Sequence, residues 1–350
     1  MPRTYDLARV GLRFGDWPEI DQTAWKRALA AGDVLDGRGP AAHWAKATRK
    51  TNMHHYGRWL AFLERTDRLS DEDPASRVTA DVVREYGREL RLLVAPRTVV
   101  TLLVGLKVTI KAMAPDRGWR WLADLCNALN RSSKPLNRKH ARLRPSEEIY
   151  AAAIAELNRL NGCAPKGRKW LCAYRDTLMI AFLAARPLRL KNFTALELGR
   201  HLVRNEKGWL ITIPGQEVKN GQPLEYELIE SLVPYLERYL ATVRPAIMAS
   251  SRSNCLWTAW KKPALTSREV YHCIVAKTTS LLGAPINPHL FRDCAATSLS
   301  LVSTAAARAA APLLGHRFFS TTERHYVRAR QLEASRMLNT ALSSIKSSVR

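Results

Sequence analysis

The chain carries two stretches whose residue types could do chemistry on a phosphate. The first is Asn287-Pro288-His289-Leu290-Phe291-Arg292. Asn287 can cap a helix and Pro288 suits its first position. His289 and Arg292 are then three apart, on one face of the opening turns. A helix N-terminus already favours anions, and an imidazole with a guanidinium adds donors for a pair of phosphate oxygens. The same pattern also fits a surface helix with ordinary charges. The second stretch is Leu313-Leu314-Gly315-His316, followed ten residues later by Tyr326. Gly315 can end the preceding Ala-rich helix in the left-handed conformation, which leaves His316 on a turn. Ser320 and Glu323 have capping-box spacing, so a new helix starts near Thr321 with Tyr326 in its second turn. Three readings compete: a metal site, a helix-turn-helix that grips DNA, or an active site with a tyrosine nucleophile. A zinc site built on His289, His316 and His325 lacks a helical i,i+4 pair and nearby carboxylates.

Two further cations could join such a site. Arg189 follows a helix that ends at Pro187, at a sharp joint, and Arg186 stands beside it as a competing choice. Lys219 precedes Asn220-Gly221, a turn signal between two extended runs, and a lysine at such a place can reach into a groove. Each has a plain alternative as a solvated surface charge.

The bulk composition narrows the choice. The formal net charge is +24 over 350 residues, more than solubility requires, and it points to a polyanion, most simply nucleic acid. A membrane surface is the rival, but no apolar run approaches a transmembrane span and the N-terminus lacks the apolar core of a signal peptide. The expectation is a soluble, intracellular protein, cytoplasmic and nucleoid-associated. Hydrophobic residues make up 46%, enough for a packed core. The six cysteines form no C-x-x-C pair and read as reduced thiols, mostly core.

The elements that must position these residues are largely helical. Residues 1–40 read as an N-terminal arm. Residues 41–131 contain four helical patterns, with Trp44, Tyr56, Trp59, Leu60 and Leu63 on one face of the first and Thr79 as a plausible N-cap further on. They form a small all-α domain. A basic, proline-containing linker follows at 132–144. Arg131, Lys134, Arg138, Lys139, Arg142 and Arg144 make this joint a candidate strap along DNA, since each phosphate contact releases counterions. From 145 to 350 a second domain begins with a capping signature at Ser146, continues with a long apolar helix ended by Pro187, and turns extended in "GWLITIP" and "PLEYELI" before helices return. The fold class is mainly α with a small antiparallel β-hairpin sheet, an α+β arrangement.

Taken together, the order Arg189, Lys219, His289-x-x-Arg292, Leu-Gly-His316 and Tyr326 resembles the tyrosine recombinase, or phage integrase, family. The likeness covers the whole second domain, and the helical first domain with its basic joint looks like that family's core-binding domain. The resemblance implies a site-specific DNA recombinase that cleaves and rejoins duplex DNA through a 3′-phosphotyrosine. Tyr326 would attack, Arg189 and Arg292 would hold the non-bridging oxygens, His289 and His316 would orient the phosphate and manage protons, and Lys219 would protonate the leaving oxygen. A phenol is a poor nucleophile near neutral pH, so a strong positive field at the site makes physical sense. No cofactor or metal is implied, and the partner is double-stranded DNA.

Several positions depart from the family pattern. Asn192 stands where an acidic residue is common, three after Arg189. Asp293 follows Arg292 where a basic residue is common. The gap from His316 to Tyr326 is one longer than usual, so His325 falls where the tyrosine often stands. Tyr226, Tyr235 and Tyr239 read as core or surface. Beyond Tyr326, Leu332, Met337, Leu338, Ala341, Leu342 and Ile345 recur at helical spacing; such a tail helix packs on its own domain or on a neighbour, the latter giving a homo-tetramer on paired DNA sites. Two alternatives stand beside the recombinase: a catalytically silent DNA-binding regulator of the same fold, and a type IB topoisomerase-like relaxase.

Overall fold

The computed structural model describes residues 10–32, 37–133, 142–163, 167–206, 208–248 and 252–302. The chain divides into two compact units, 1–136 and 137–350. No described helix is long and apolar enough to cross a membrane.

The first unit is helical: α1 (Glu19–Leu29), α2 (Lys46–Arg65), α3 (Ala80–Leu93), α4 (Pro96–Met113) and α5 (Arg120–Ser132). Thr79 caps α3 by accepting from the Val82 amide, and Pro96 occupies the start of α4. Helix α4 crosses α2 closely at Gly105, where a Cβ would lie 2.0 Å from His55 Nδ1. The core gathers Tyr56, Trp59, Leu60, Leu63, Tyr86, Leu103, Leu106, Ile110 and Leu122. The region expected as an arm joins that core. Trp17, Ala24, Trp25 and Ala28 are buried, with the Trp17 ring 5.1 Å from Tyr56. Fully buried Asp21 accepts from Tyr56 Oη at 2.6 Å and from Arg77 Nη2 at 2.5 Å. A buried carboxylate persists only with such partners, so this triad locks α1 onto α2.

The second unit contains α6 (Ser146–Asn161), α7 (Gly167–Ala185), α8 (Leu190–Thr194), β1 (Leu202–Asn205), β2 (Gly208–Ile213), β3 (Leu224–Glu227), α9 (Val233–Arg238), α10 (Arg244–Met248), α11 (Ser267–Leu282) and α12 (Pro288–Val302). A π-helical turn, Tyr239–Val243, joins α9 to α10. Helix α7 is the spine of the core, and Leu178 through Leu183 are fully buried. The sheet has the order β1-β2-β3, all antiparallel, with Leu202 opposite Ile211 and Ile213 opposite Leu224. The mainly-α expectation with a small antiparallel sheet holds, and the sheet gains a third strand, β1.

Local details differ from the sequence reading. Asn220-Gly221 does not close a two-residue hairpin. It lies inside a ten-residue β2–β3 connection, 214–223, that first makes a 3-10 turn at Gly215–Glu217. Ser146 is not a cap: Pro145 precedes α6, and the Ser146 amide, an orphan donor of the first turn, is taken by Ser298 Oγ of α12 at 2.8 Å. The capping box sits instead on α11, between Thr266 and Glu269. The cysteines carry no disulfide, but they are not mostly core. Only Cys126 and Cys294 are buried, and Cys163 is exposed.

Candidate active site

The turn between α7 and α8 organises the site. Helix α7 stops because Pro187 cannot continue it. The two arginines of this turn then part company. Arg186 spends its guanidinium on structure: Nε donates to the Glu227 carbonyl of β3 at 2.9 Å, and Nη1 to Ala185 O at 2.8 Å. Arg189 stands at the head of α8, its carbonyl accepting from the Phe193 amide, with its own backbone still extended.

Helix α12 brings the second arginine to the same turn. Asn287 Oδ1 accepts from the Leu290 amide at 3.1 Å, so the cap expected from the sequence starts this helix. Arg292, one turn in, is buried and donates Nη1 to the Pro187 carbonyl at 2.8 Å. Burial, and then repulsion from the neighbouring Arg189 guanidinium, push its pKa down to about 10. It therefore stays charged at neutral pH beside a second charge. Two cations held together by the fold favour an anion between them, because the anion relieves their repulsion and accepts from both planar forks.

Tyr226 completes this corner. On β3 it opposes Ile211 and points to the same side as buried Leu224 and Leu228, but remains half-buried. Burial raises its pKa, while Arg292, Arg189 and Arg186 pull the other way. The phenol is a neutral donor next to the arginine pair. Sequence reasoning placed Tyr226 in the core or on the surface. Its alternation with Leu224 and Leu228 was a signal for the inward face, though not for the arginines.

The other expected residues are distributed as follows. His289 is exposed in the first turn of α12, three residues before Arg292. Lys219 is exposed in the β2–β3 connection. Asn192, three after Arg189, is buried and donates Nδ2 to the Glu217 carbonyl at 3.2 Å, two residues before Lys219. Asp293 is half-buried, and its carbonyl accepts from Thr297 Oγ1 at 2.9 Å. Arg131 is exposed at the end of α5 in the first unit. In the second unit, Arg144 is exposed and 4.0 Å from Glu148, and Arg142 is half-buried. Lys134, Arg138, Lys139, His316 and Tyr326 lie outside the described residues.

No family model matches the chain. Curated relatives do. The tyrosine recombinase XerD of Pseudomonas aeruginosa is 30% identical over 159 residues, 45% of this chain and 51% of that protein. Its counterpart from Staphylococcus aureus is 26% identical over 182 residues, 52% of this chain and 56% of that protein. The chain thus spans about half the length of the curated relatives it matches. Among solved structures, the XerH site-specific recombinase in a post-cleavage complex with a palindromic difH substrate matches with a TM-score of 0.56. Identity there is 14%, over 84% of this chain and 80% of that one.

In sequence, then, the chain is similar to tyrosine recombinases over about half of its length. A second XerH structure, its pre-cleavage complex, matches with a TM-score of 0.53 and 16% identity, over 83% of this chain and 79% of that one. At such identity the structural likeness speaks for the tyrosine recombinase fold. The arginine corner described above is this chain's own geometry within it.

Proposed function

We propose that this protein is a site-specific DNA recombinase, an integrase-type enzyme that cleaves and rejoins duplex DNA through a 3′-phosphotyrosine intermediate. The observation that carries this reading is the Arg189–Arg292 pair, one member buried and tied to the other's turn, in a chain similar to tyrosine recombinases and with a net charge of +24.

In this reading the scissile phosphate lies between Arg189 and Arg292, with His289 and His316 alongside. The Tyr326 oxygen attacks phosphorus and gives up its proton. The bond from phosphorus to the 5′ oxygen breaks, and Lys219 supplies the proton that the leaving oxygen takes. The arginines stabilise charge that grows on the non-bridging oxygens, without having to reorganise at the moment of reaction. The phosphotyrosine keeps the bond energy, so the reverse attack by a 5′ hydroxyl reseals the strand. The partner is double-stranded DNA, gripped also by Arg131, Lys134, Arg138, Lys139, Arg142 and Arg144. A homo-tetramer would act on two paired sites, with the apolar positions from Leu332 to Ile345 as its tail contact. The natural setting would be the nucleoid.

The test is covalent trapping. Wild type and Tyr326→Phe are mixed with nicked DNA fragments from around the protein's own gene. An SDS-resistant adduct with wild type alone is expected. Binding to one fragment with no adduct from either protein would contradict the reading and favour a silent regulator. DNA binding should also weaken steeply as salt rises.

A further inference from the structure

A ten-residue connection with an exposed lysine near its tip is loose by default, because nothing in its length fixes the lysine. In this protein the β2–β3 connection is held from several sides. It folds back on itself through Glu217 N to Pro214 O, Val218 N to Gly215 O and Gly221 N to Val218 O, each at 3.0 Å. The fold-back is tight enough that a Cβ at Gly215 would lie 2.3 Å from the Gly221 carbonyl oxygen. Val218 is buried as an apolar anchor.

The side chains add a second set of ties. Glu217 is bound at three atoms. Its Oε2 lies 3.1 Å from Nε2 of buried His201, its Oε1 pairs with Arg200, and its carbonyl accepts from Asn192 Nδ2. His201 Nδ1 accepts from the Glu197 amide at 3.2 Å, so Nε2 carries the hydrogen that goes to Glu217. Asn192 lies on the short helix that Arg189 heads, and Lys219 is two residues beyond Glu217. A single side-chain amide therefore joins the arginine's helix to the lysine's loop.

The identity of residue 192 follows from that bond. Its partner is a carbonyl oxygen, which only accepts. Aspartate there would set two acceptors against each other, whereas asparagine donates. This accounts for the amide at a position where the family resemblance implies an acid.

We propose that Asn192 and Glu217 are positioning residues for Lys219, fixing the β2–β3 connection so that the lysine meets the leaving oxygen. The proposal rests on the recombinase reading for what Lys219 does, but the clamp itself can be tested without it. A general acid contributes on the order of 10²–10⁴-fold, and a displacement of about 1 Å can cost about 10²-fold. Asn192→Asp, nearly isosteric, should therefore slow single-turnover cleavage by on the order of 10²-fold. Glu217→Gln should slow it less, since the carbonyl bond survives.

The diagnostic is DNA with a sulfur in place of the bridging 5′ oxygen at the cut. A thiolate leaves without an acid, so this substrate should restore Asn192→Asp and Lys219→Ala towards the wild-type rate. Arg292→Ala should stay slow on both substrates. Equal slowing of Asn192→Asp on both, or no slowing on either, would overturn the positioning role. Independently of any cleavage, amide hydrogen exchange at residues 215–221 should speed up in Asn192→Asp. Unchanged protection there would overturn the clamp, whereas absence of cleavage by wild type would count against the recombinase reading alone.

Discussion

Arg292 Nη1 donates to the carbonyl oxygen of Pro187 across 2.8 Å, and Pro187 lies two residues before Arg189. This hydrogen bond ties the buried member of the pair to the turn that carries the other. Arg292→Ala removes a charge from the phosphate and also leaves a buried carbonyl without its donor, which costs about 1–3 kcal/mol. Arg189→Ala removes the other charge from the site. Both variants should slow cleavage by about 10²–10³-fold and weaken DNA binding far less. Arg292→Ala should in addition melt at a lower temperature. Single-turnover cleavage, DNA titration and thermal melting together check this. Equal losses of binding and cleavage would recast the pair as plain DNA anchors.

Tyr226 offers a phenol that burial keeps protonated beside those arginines. Tyr226→Phe preserves the packing against the sheet and removes only the hydroxyl. Its hydrogen bond to a charged phosphate would be worth about 1.5–3 kcal/mol, so cleavage should slow by roughly 10–100-fold with the fold intact. A rate equal to wild type would show that the ring only packs.

Glu156 ties α6 to α11. It accepts from Lys277 Nζ at 2.9 Å and from Arg159 Nε at 2.7 Å. Hydrogen bonding from Arg159, ahead of that from Lys277, lowers its pKa from 4.5 to about 2. A carboxylate whose folded pKa is depressed stabilises the fold above its unfolded pKa, and that stability is lost as pH falls through the folded value. Glu156→Gln should therefore lower the melting temperature modestly near neutral pH, by no more than about 1 kcal/mol of stability. The gap to wild type should close as pH falls from 4.5 towards 2. A gap that did not change with pH would mean the ion pairs contribute nothing.

Asp21 is fully buried between Tyr56 and Arg77. Asp21→Ala leaves Arg77 charged and buried without its carboxylate, which should cost about 3–5 kcal/mol in the first unit. Denaturant unfolding followed by tryptophan fluorescence would report this, since Trp17, Trp25 and Trp59 share that core. A loss under about 1 kcal/mol would show that α1 docks by its apolar face alone.

The legible parts of the fold and site were those with local causes. Asn287-Pro288 announced the start of α12, Thr79 the start of α3, and the extended run "GWLITIP" the strand β2. Strand β1 was missed because only Leu202 of its four residues is buried, so it shows no alternation. The docking of α1 was missed because Asp21 reads as an ordinary solvated carboxylate until its partners, 35 and 56 residues away, are known. Residue type and spacing did not separate Arg186 from Arg189; only the family resemblance favoured Arg189. The difference lies in the Glu227 carbonyl, 41 residues along, which takes Arg186 out of play. The same holds for Glu217, whose bonds to Asn192 and His201 are made across the fold.

The most direct test is to trap the covalent adduct, digest it with nuclease and trypsin, and locate the nucleotide by mass spectrometry. The expected result is a nucleotide on the peptide His325-Tyr326-Val327-Arg328, joined through the phenolic oxygen and absent from Tyr326→Phe. A nucleotide on Tyr226 or any other residue, or an adduct that persists in Tyr326→Phe, would contradict the assignment of the nucleophile.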